Sequence, residues 1–340
     1  MSYTTEIEKK EKSKVLVKVS VPFSEVEAKK EKAFQELAKN IEVDGFRKGN
    51  VPENVLKEKI SDKMLLERAS QEVINEIFPE IIQKNELKMI GYPKINVTKL
   101  APNEDMEFTI ELSVYPEIEL GDYKKFIEGV KFEKKEATDE DLKKLEENIL
   151  NLVNQQREKE GKEKLTELND EVTKLVSPFE TVAEFREQMK KDLVKQSEYE
   201  SSLKFRSDIA DRLIENIKFD VPEILVEAEA EKIIAQQKDD VMKHNVKWEE
   251  YLKTLGKTEN DLKKEYYPDA EKRAKLEIIL KEIFKKEGLK ISKEEADKQV
   301  EQIKAVHKDV DEENIRLYVE NILINEEVMK FLEKLVKEKN

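Results

Sequence analysis

The chain has 340 residues, room for about two domains, and 41% of it is charged against ~25% in an ordinary globular domain. A net charge of −14 argues against a general nucleic-acid binder, because neutralising phosphates needs a basic face. With no cysteine there is no disulfide, thiolate nucleophile or Cys-based metal site, and an apolar fraction of 38% suits thin cores under long, wet-faced helices.

Met1–Lys14 is charged without an apolar core, so it does not read as a secretory signal. No run approaches the ~18 apolar residues of a membrane span, and a soluble, cytosolic chain is expected. Val15, Val17, Val19 and Val21 alternate with Leu16, Lys18 and Ser20, which predicts a strand with one buried face. Ser24 and Glu27 read as a capping box opening a helix through Val26, Ala33, Phe34, Leu37 and Ala38. Next comes a Gly-bracketed loop, Gly45-Phe46-Arg47-Lys48-Gly49-Asn50-Val51-Pro52, with Pro52 where a helix would begin. A helix over Asp62–Lys84 containing Pro79 follows, then strands at Lys94–Leu100 and Glu107–Tyr115.

After Pro116 the character changes. Leu120–Glu136 reads as an irregular, extended connection. Thr138 caps a helix striped by Leu142, Leu145, Ile149 and Leu152, and Arg157–Lys164 is a solvated junction. From Leu165 everything reads helical. Thr181 with Glu184 reads as a second capping box, opening a run to Ile217 about 55 Å long at 1.5 Å per residue, too long to hide in a globule. Such a helix must project as an arm or pair with the helix from Pro222 to about Lys243. Thr258–Lys286, containing Pro268, and helices opening at Ser292 and Asp311 complete the chain.

The loop GFRKGNVP, Gly45–Pro52, resembles the ribosome-docking loop of trigger factor, the bacterial chaperone at the polypeptide tunnel exit. GYPKINV at Gly91–Val97 and MEFTIELSVYPEIELGDYK at Met106–Lys124 resemble the end of that family's N-terminal domain and the start of its linker. ATDEDLKKLEENI at Ala137–Ile149, Leu165–Leu193, and NEEVMKFLEK at Asn325–Lys334 are similar to its helical parts. The resemblance implies an α+β ribosome-binding domain over 1–115, a linker with one helix over 116–164, and an elongated all-α chaperone domain with projecting arms over 165–340. One departure stands out. The family carries an FKBP-like prolyl isomerase domain where this chain has only the charged junction at about 157–164, and 8 glycines cannot supply that β-rich fold.

Locally, Gly45 and Gly49 can hold a tight tip, with Phe46 exposed beside the charges of Arg47 and Lys48. These residues alone leave open a plain turn whose Phe folds back into its own domain. The resemblance implies docking instead, with Gly45, Phe46, Arg47, Lys48, Gly49 and Pro52 at the ribosome and the three central side chains on an exit-site ribosomal protein and adjacent RNA.

Gly256-Lys257-Thr258 is not a phosphate loop, because Tyr251 stands where the earlier Gly is needed; Gly256 reads as a helix cap. His244 and His307 lack any metal-ligand spacing, so no metal, cofactor or catalytic residue is expected. Apolar stripes carry the remaining candidates. Val221, Ile224, Leu225 and Ile233 lie on one helix, and Ile315, Tyr318, Ile322, Met329 and Leu332 on the last. Most should be helix–helix core. Any left outward on arms would line a cradle for nascent or unfolded chains, gripping weakly at several points. The expected function is an ATP-independent holdase without isomerase activity, not a membrane protein, with a homodimer off the ribosome left open. The alternatives are a helical scaffold for one folded partner, or an isomerase with an unrecognised site.

Overall fold

The computed structural model describes residues 1–43, 46–47, 50–306 and 308–339, apart from the side chains of Glu53 and Lys339. The chain divides into two compact units, one of residues 1–118 with 218–275 and the other of 119–217 with 276–340.

The first unit opens on β1 (Thr4–Lys10) and β2 (Lys14–Val21), joined by a tight turn. With β3 (Met89–Lys99) and β4 (Met106–Val114) they form an antiparallel sheet in the order β1-β2-β4-β3. The alternating valines of β2 are buried, as are Met106, Phe108, Ile110 and Leu112 of β4. Both rows face α4 (Asp62–Lys84), whose Leu66, Ala69, Val73, Ile77 and Ile81 recur at helical spacing. Ser61 caps α4 by accepting the Met64 amide at 3.3 Å, and the helix runs on through Pro79. β1 lies outside the sequence reading because every residue in it is exposed, so it carries no alternating pattern to read. Its charges blunt the sheet's edge.

Two expectations in this unit are corrected. Ser24 and Glu27 do not form a capping box: α1 (Phe23–Glu27) starts after Pro22 with no side-chain cap, and α2 (Lys30–Asn40) is a separate helix. The first amide of α1, that of Phe23, donates instead to the Asp105 carboxylate at 3.1 Å, a cap brought in from the turn before β4. β3 also begins earlier than Lys94, with a bulge between Ile90 and Lys94 where Gly91 takes φ +69°. α3 (Glu53–Lys59) follows Pro52, as expected.

The same unit holds α9 (Glu223–Lys243), α10 (Trp248–Leu255) and the first part of α11 (Glu259–Glu287), which continues into the second unit. α9 packs on α10 through Gln237, which donates to the Tyr251 hydroxyl at 3.0 Å. Gly256 closes α10 in the left-handed conformation at φ 65°, so Gly256-Lys257-Thr258 is a helix end. The β1–β2 turn is tied to the start of α9: Ser13 Oγ donates to the Asp220 carbonyl at 3.2 Å, and Lys14 Nζ reaches Glu223 at 3.0 Å.

In the second unit, residues 120–136 are irregular except for one helical turn, α5 (Tyr123–Phe126). Leu120, Tyr123, Ile127 and Val130 are buried all the same. α6 (Asp139–Lys159) starts on a full capping box, in which Thr138 Oγ1 accepts the Asp141 amide and Asp141 accepts the Thr138 amide. Leu152 of the expected stripe is exposed, and Val153 takes the next half-buried position on that face. α7 (Asp170–Val176) precedes α8 (Val182–Asn216), which Thr181 caps by accepting the Glu184 amide at 3.3 Å, without the return bond from Glu184 that the expected capping box requires. α8 packs on α5, α6, α7 and α13 (Glu312–Lys339), while α12 (Lys293–Val306) pairs with α13.

The connection is locked by Tyr123. Its hydroxyl donates to Glu287 Oε1 at 2.5 Å, and Lys124 joins the same carboxylate. These two hydrogen bonds, that of Tyr123 first, hold the Glu287 carboxyl below the usual carboxylate range. Its stabilising contribution is thus complete above the ordinary value of ~4.3 and is lost as pH falls through the lower folded value. Thermal melts taken from pH 7 down to about 3 should show this loss in the parent and a shallower acid dependence in Glu287→Gln.

Candidate functional site

The loop between α2 and α3 is carried by a small apolar cluster. Val51, Leu56 and Ile60 are buried in it, packed by Phe34, Leu37, Ala38, Ile41 and Val43 from the α2 side and by Leu65 from α4. Burial of both flanks anchors the two ends of the loop. The Phe46 amide donates to the Val43 carbonyl at 3.1 Å, and the Asn50 amide to the Arg47 carbonyl at 2.9 Å. Phe46 remains 42% exposed and Arg47 is exposed. The Phe46 ring is thus not in the domain interior, contrary to the plain-turn alternative. Pro52 is the N-cap residue of α3, with φ −60°. Gly45, Lys48 and Gly49 lie outside the described residues.

Charges behind the loop are mutually neutralised. Lys29 pairs with Glu76 and Lys32 with Glu72, both at 2.5 Å, while Arg68 bridges Glu36 and Glu72. Hydrogen bonds from Lys32 and Lys29 hold the Glu72 and Glu76 carboxyls below their ordinary value. This ladder ties α2 to α4, whereas Arg47 is exposed on the loop.

The candidate apolar contacts separate into two groups. Val221, Ile315, Met329 and Leu332 are buried, so these expected client contacts are corrected to core residues. The reason is helix packing: Ile315, for example, joins Val319 and Leu323 against Ala296 and Val300 of α12. Ile224, Leu225 and Ile233 are half-buried along α9. Tyr318 and Ile322 stay exposed at 56% and 42%, and Leu317 beside them at 55%. The sequence reading missed Leu317, although its lack of fit to the 315/319/323 core row was the available signal. It also missed Met242 and Val246, exposed around the α9–α10 turn, and Leu255, exposed at the end of α10.

Among the described residues no group of His, Asp and Glu is placed to hold a metal ion, and no helix is long and apolar enough to cross a membrane. His244 caps the end of α9 in solvent, and His307 lies outside the described residues.

Fold and site together define an α+β domain bearing an aromatic–cationic loop, with a long helical region C-terminal to it that leaves apolar side chains in solvent. The family described as bacterial trigger factor protein (TF) matches residues 3–149, and that described as bacterial trigger factor protein (TF) C-terminus matches residues 181–339. The chain belongs to the trigger factor family. Trigger factor of Halothermothrix orenii is 28% identical, the match covering 87% of this chain and 89% of that one. Trigger factor of Clostridium beijerinckii is 23% identical, covering 96% and 98%. A solved structure of the trigger factor chaperone, described for promiscuous substrate recognition in folding and assembly, superposes with a TM-score of 0.54 at 18% identity. That superposition takes in 98% of this chain and 100% of the other, and supports the fold. Between the two family matches, residues 150–180 form the end of α6, a turn at Gly161 and α7, without a strand among the described residues. The length of the chain is consistent with a trigger factor that lacks the isomerase domain.

Proposed function

We propose that this chain is an ATP-independent holdase that docks at the ribosomal tunnel exit and shields emerging polypeptide in the cytoplasm. The observation that carries the reading is Phe46, half in solvent beside an exposed Arg47, on a loop whose flanks are anchored in a core of their own. An aromatic ring and a fork-shaped guanidinium suit a ribosomal protein surface and neighbouring RNA phosphate. Residues 1–115 would form the docking domain, 116–164 the linker, and 165–340 the chaperone region.

Client contact would fall to the outward apolar residues, Leu317, Tyr318 and Ile322 on α13 and the exposed positions near the α9–α10 turn. Each contact is weak alone, so grip depends on several acting together and release stays fast. Replacing Leu317, Tyr318 and Ile322 together by serine should leave ribosome binding unchanged. Roughly 3- to 10-fold more protein would then be needed to suppress aggregation of an unfolded test protein. The parent should bind ribosomes, act without ATP, and give no turnover of a proline-containing peptide above background. Selective binding of one folded partner, with no protection of unfolded chains, would instead favour the scaffold alternative.

A further inference from the structure

Among the described residues of the first unit, the flanks of the docking loop belong to a small apolar core separate from that of the sheet. The sheet core gathers the valines of β2, the apolar row of β4 and the buried stripe of α4. The second gathers Val51, Leu56 and Ile60 with the α2 side chains around them. α2 and α4 are divided between the two: Ala33 and Leu66 go to the sheet core, their neighbours Phe34 and Leu65 to the other. α3 is not divided. Its apolar residues all enter the small core, and its N-cap Pro52 makes no side-chain bond.

We infer that α3 and the small core around it, residues 51–60 with the facing side of α2, form a clip that opens independently of the sheet, and that Leu56 is a positioning residue setting Phe46 and Arg47 for docking. This rests on the docking reading of Phe46 and Arg47 and deepens it. A helix of seven residues cannot stand alone in water, so α3 persists only while its apolar face is covered. Leu56 is 7% exposed at the centre of that face. Removing it opens the clip without disturbing the sheet, and an open clip must be reordered before Phe46 and Arg47 can engage, which weakens binding.

The test compares Leu56→Ala, the milder Val51→Ala, the conservative Leu56→Met and the contact variant Phe46→Ala/Arg47→Ala in the full chain, by amide exchange and ribosome co-sedimentation. For Leu56→Ala, exchange should quicken roughly 30-fold or more over 34–41 and 51–60, with β2 and β4 as protected as in the parent. Ribosome affinity should fall about tenfold, Val51→Ala should do the same to a lesser degree, and Leu56→Met should restore both readouts. Quickened exchange across β2 and β4 as well would overturn the inference, because the clip would then be part of the sheet's cooperative unit. So would normal ribosome binding by a chain with an opened clip, if the Phe46→Ala/Arg47→Ala chain has lost binding. Normal binding by the contact variant itself would overturn the docking reading, and with it the role given to Leu56.

Discussion

A chain carrying Phe46→Ala together with Arg47→Ala is expected to stop co-sedimenting with ribosomes while still suppressing aggregation of an unfolded protein. The argument is one of exposure and chemistry. Phe46 keeps 42% of its surface in solvent, although its flanks at Val51 and Ile41 are packed into a core. An exposed ring held by a structured loop loses little freedom when it enters a pocket, so much of its apolar burial is realised as affinity. Truncating such an anchor typically costs ~2–4 kcal/mol, or ~30- to 1,000-fold. Arg47 adds charge-assisted bonds to carbonyl or phosphate oxygens, and its share should weaken as salt rises. Neither side chain belongs to the buried clusters, so melting temperature should hold. Undiminished co-sedimentation at physiological salt would refute the docking assignment.

Phe205→Ala should be the most damaging single change among the helices of the second unit. Phe205 is 1% exposed, in edge-to-face contact with Phe132 at 5.5 Å, and Lys337 lies over both rings. It sits in a row with Ile209 and Leu213, the apolar part of a helix whose other buried residues include Ser197 and Ser201. A helix with so short an apolar row has little to fall back on when one large side chain is removed. The loss of burial and the cavity left behind should cost about 3–5 kcal/mol, lowering the melting temperature by roughly 6–20 °C. Phe205→Leu should recover most of this, because it refills the space without the ring contacts. The neighbouring Arg206, forked onto Glu326 at 2.7 Å and Glu333 at 2.5 Å, keeps α8 against α13 in both variants. A melt of Phe205→Ala within a degree or two of the parent would mean that the burial of Phe205 against Phe132 is not what holds this unit.

Where a feature depends on a few neighbouring residues, it was legible without coordinates. The caps at Thr138 and Thr181, the start of α9 after Pro222 and its end near Lys243 all follow from local chemistry. Gly256 as a helix end is of the same kind. The Ser24 box failed for the opposite reason: the group that satisfies the start of α1 is Asp105, more than eighty residues away. β1 escaped because an edge strand with no buried face has no period-two signature.

The functional surfaces divide in the same way. Chain order and residue type alone determine that an aromatic–cationic loop sits between two amphipathic segments, and that several helices carry more apolar residues than one stripe needs. They could not decide which of those residues face water. Ile315 and Tyr318 look alike on a helical wheel, yet one is sealed against α12 and the other is open. Whether a side chain is covered depends on a partner helix distant in sequence, and only tertiary packing supplies that partner.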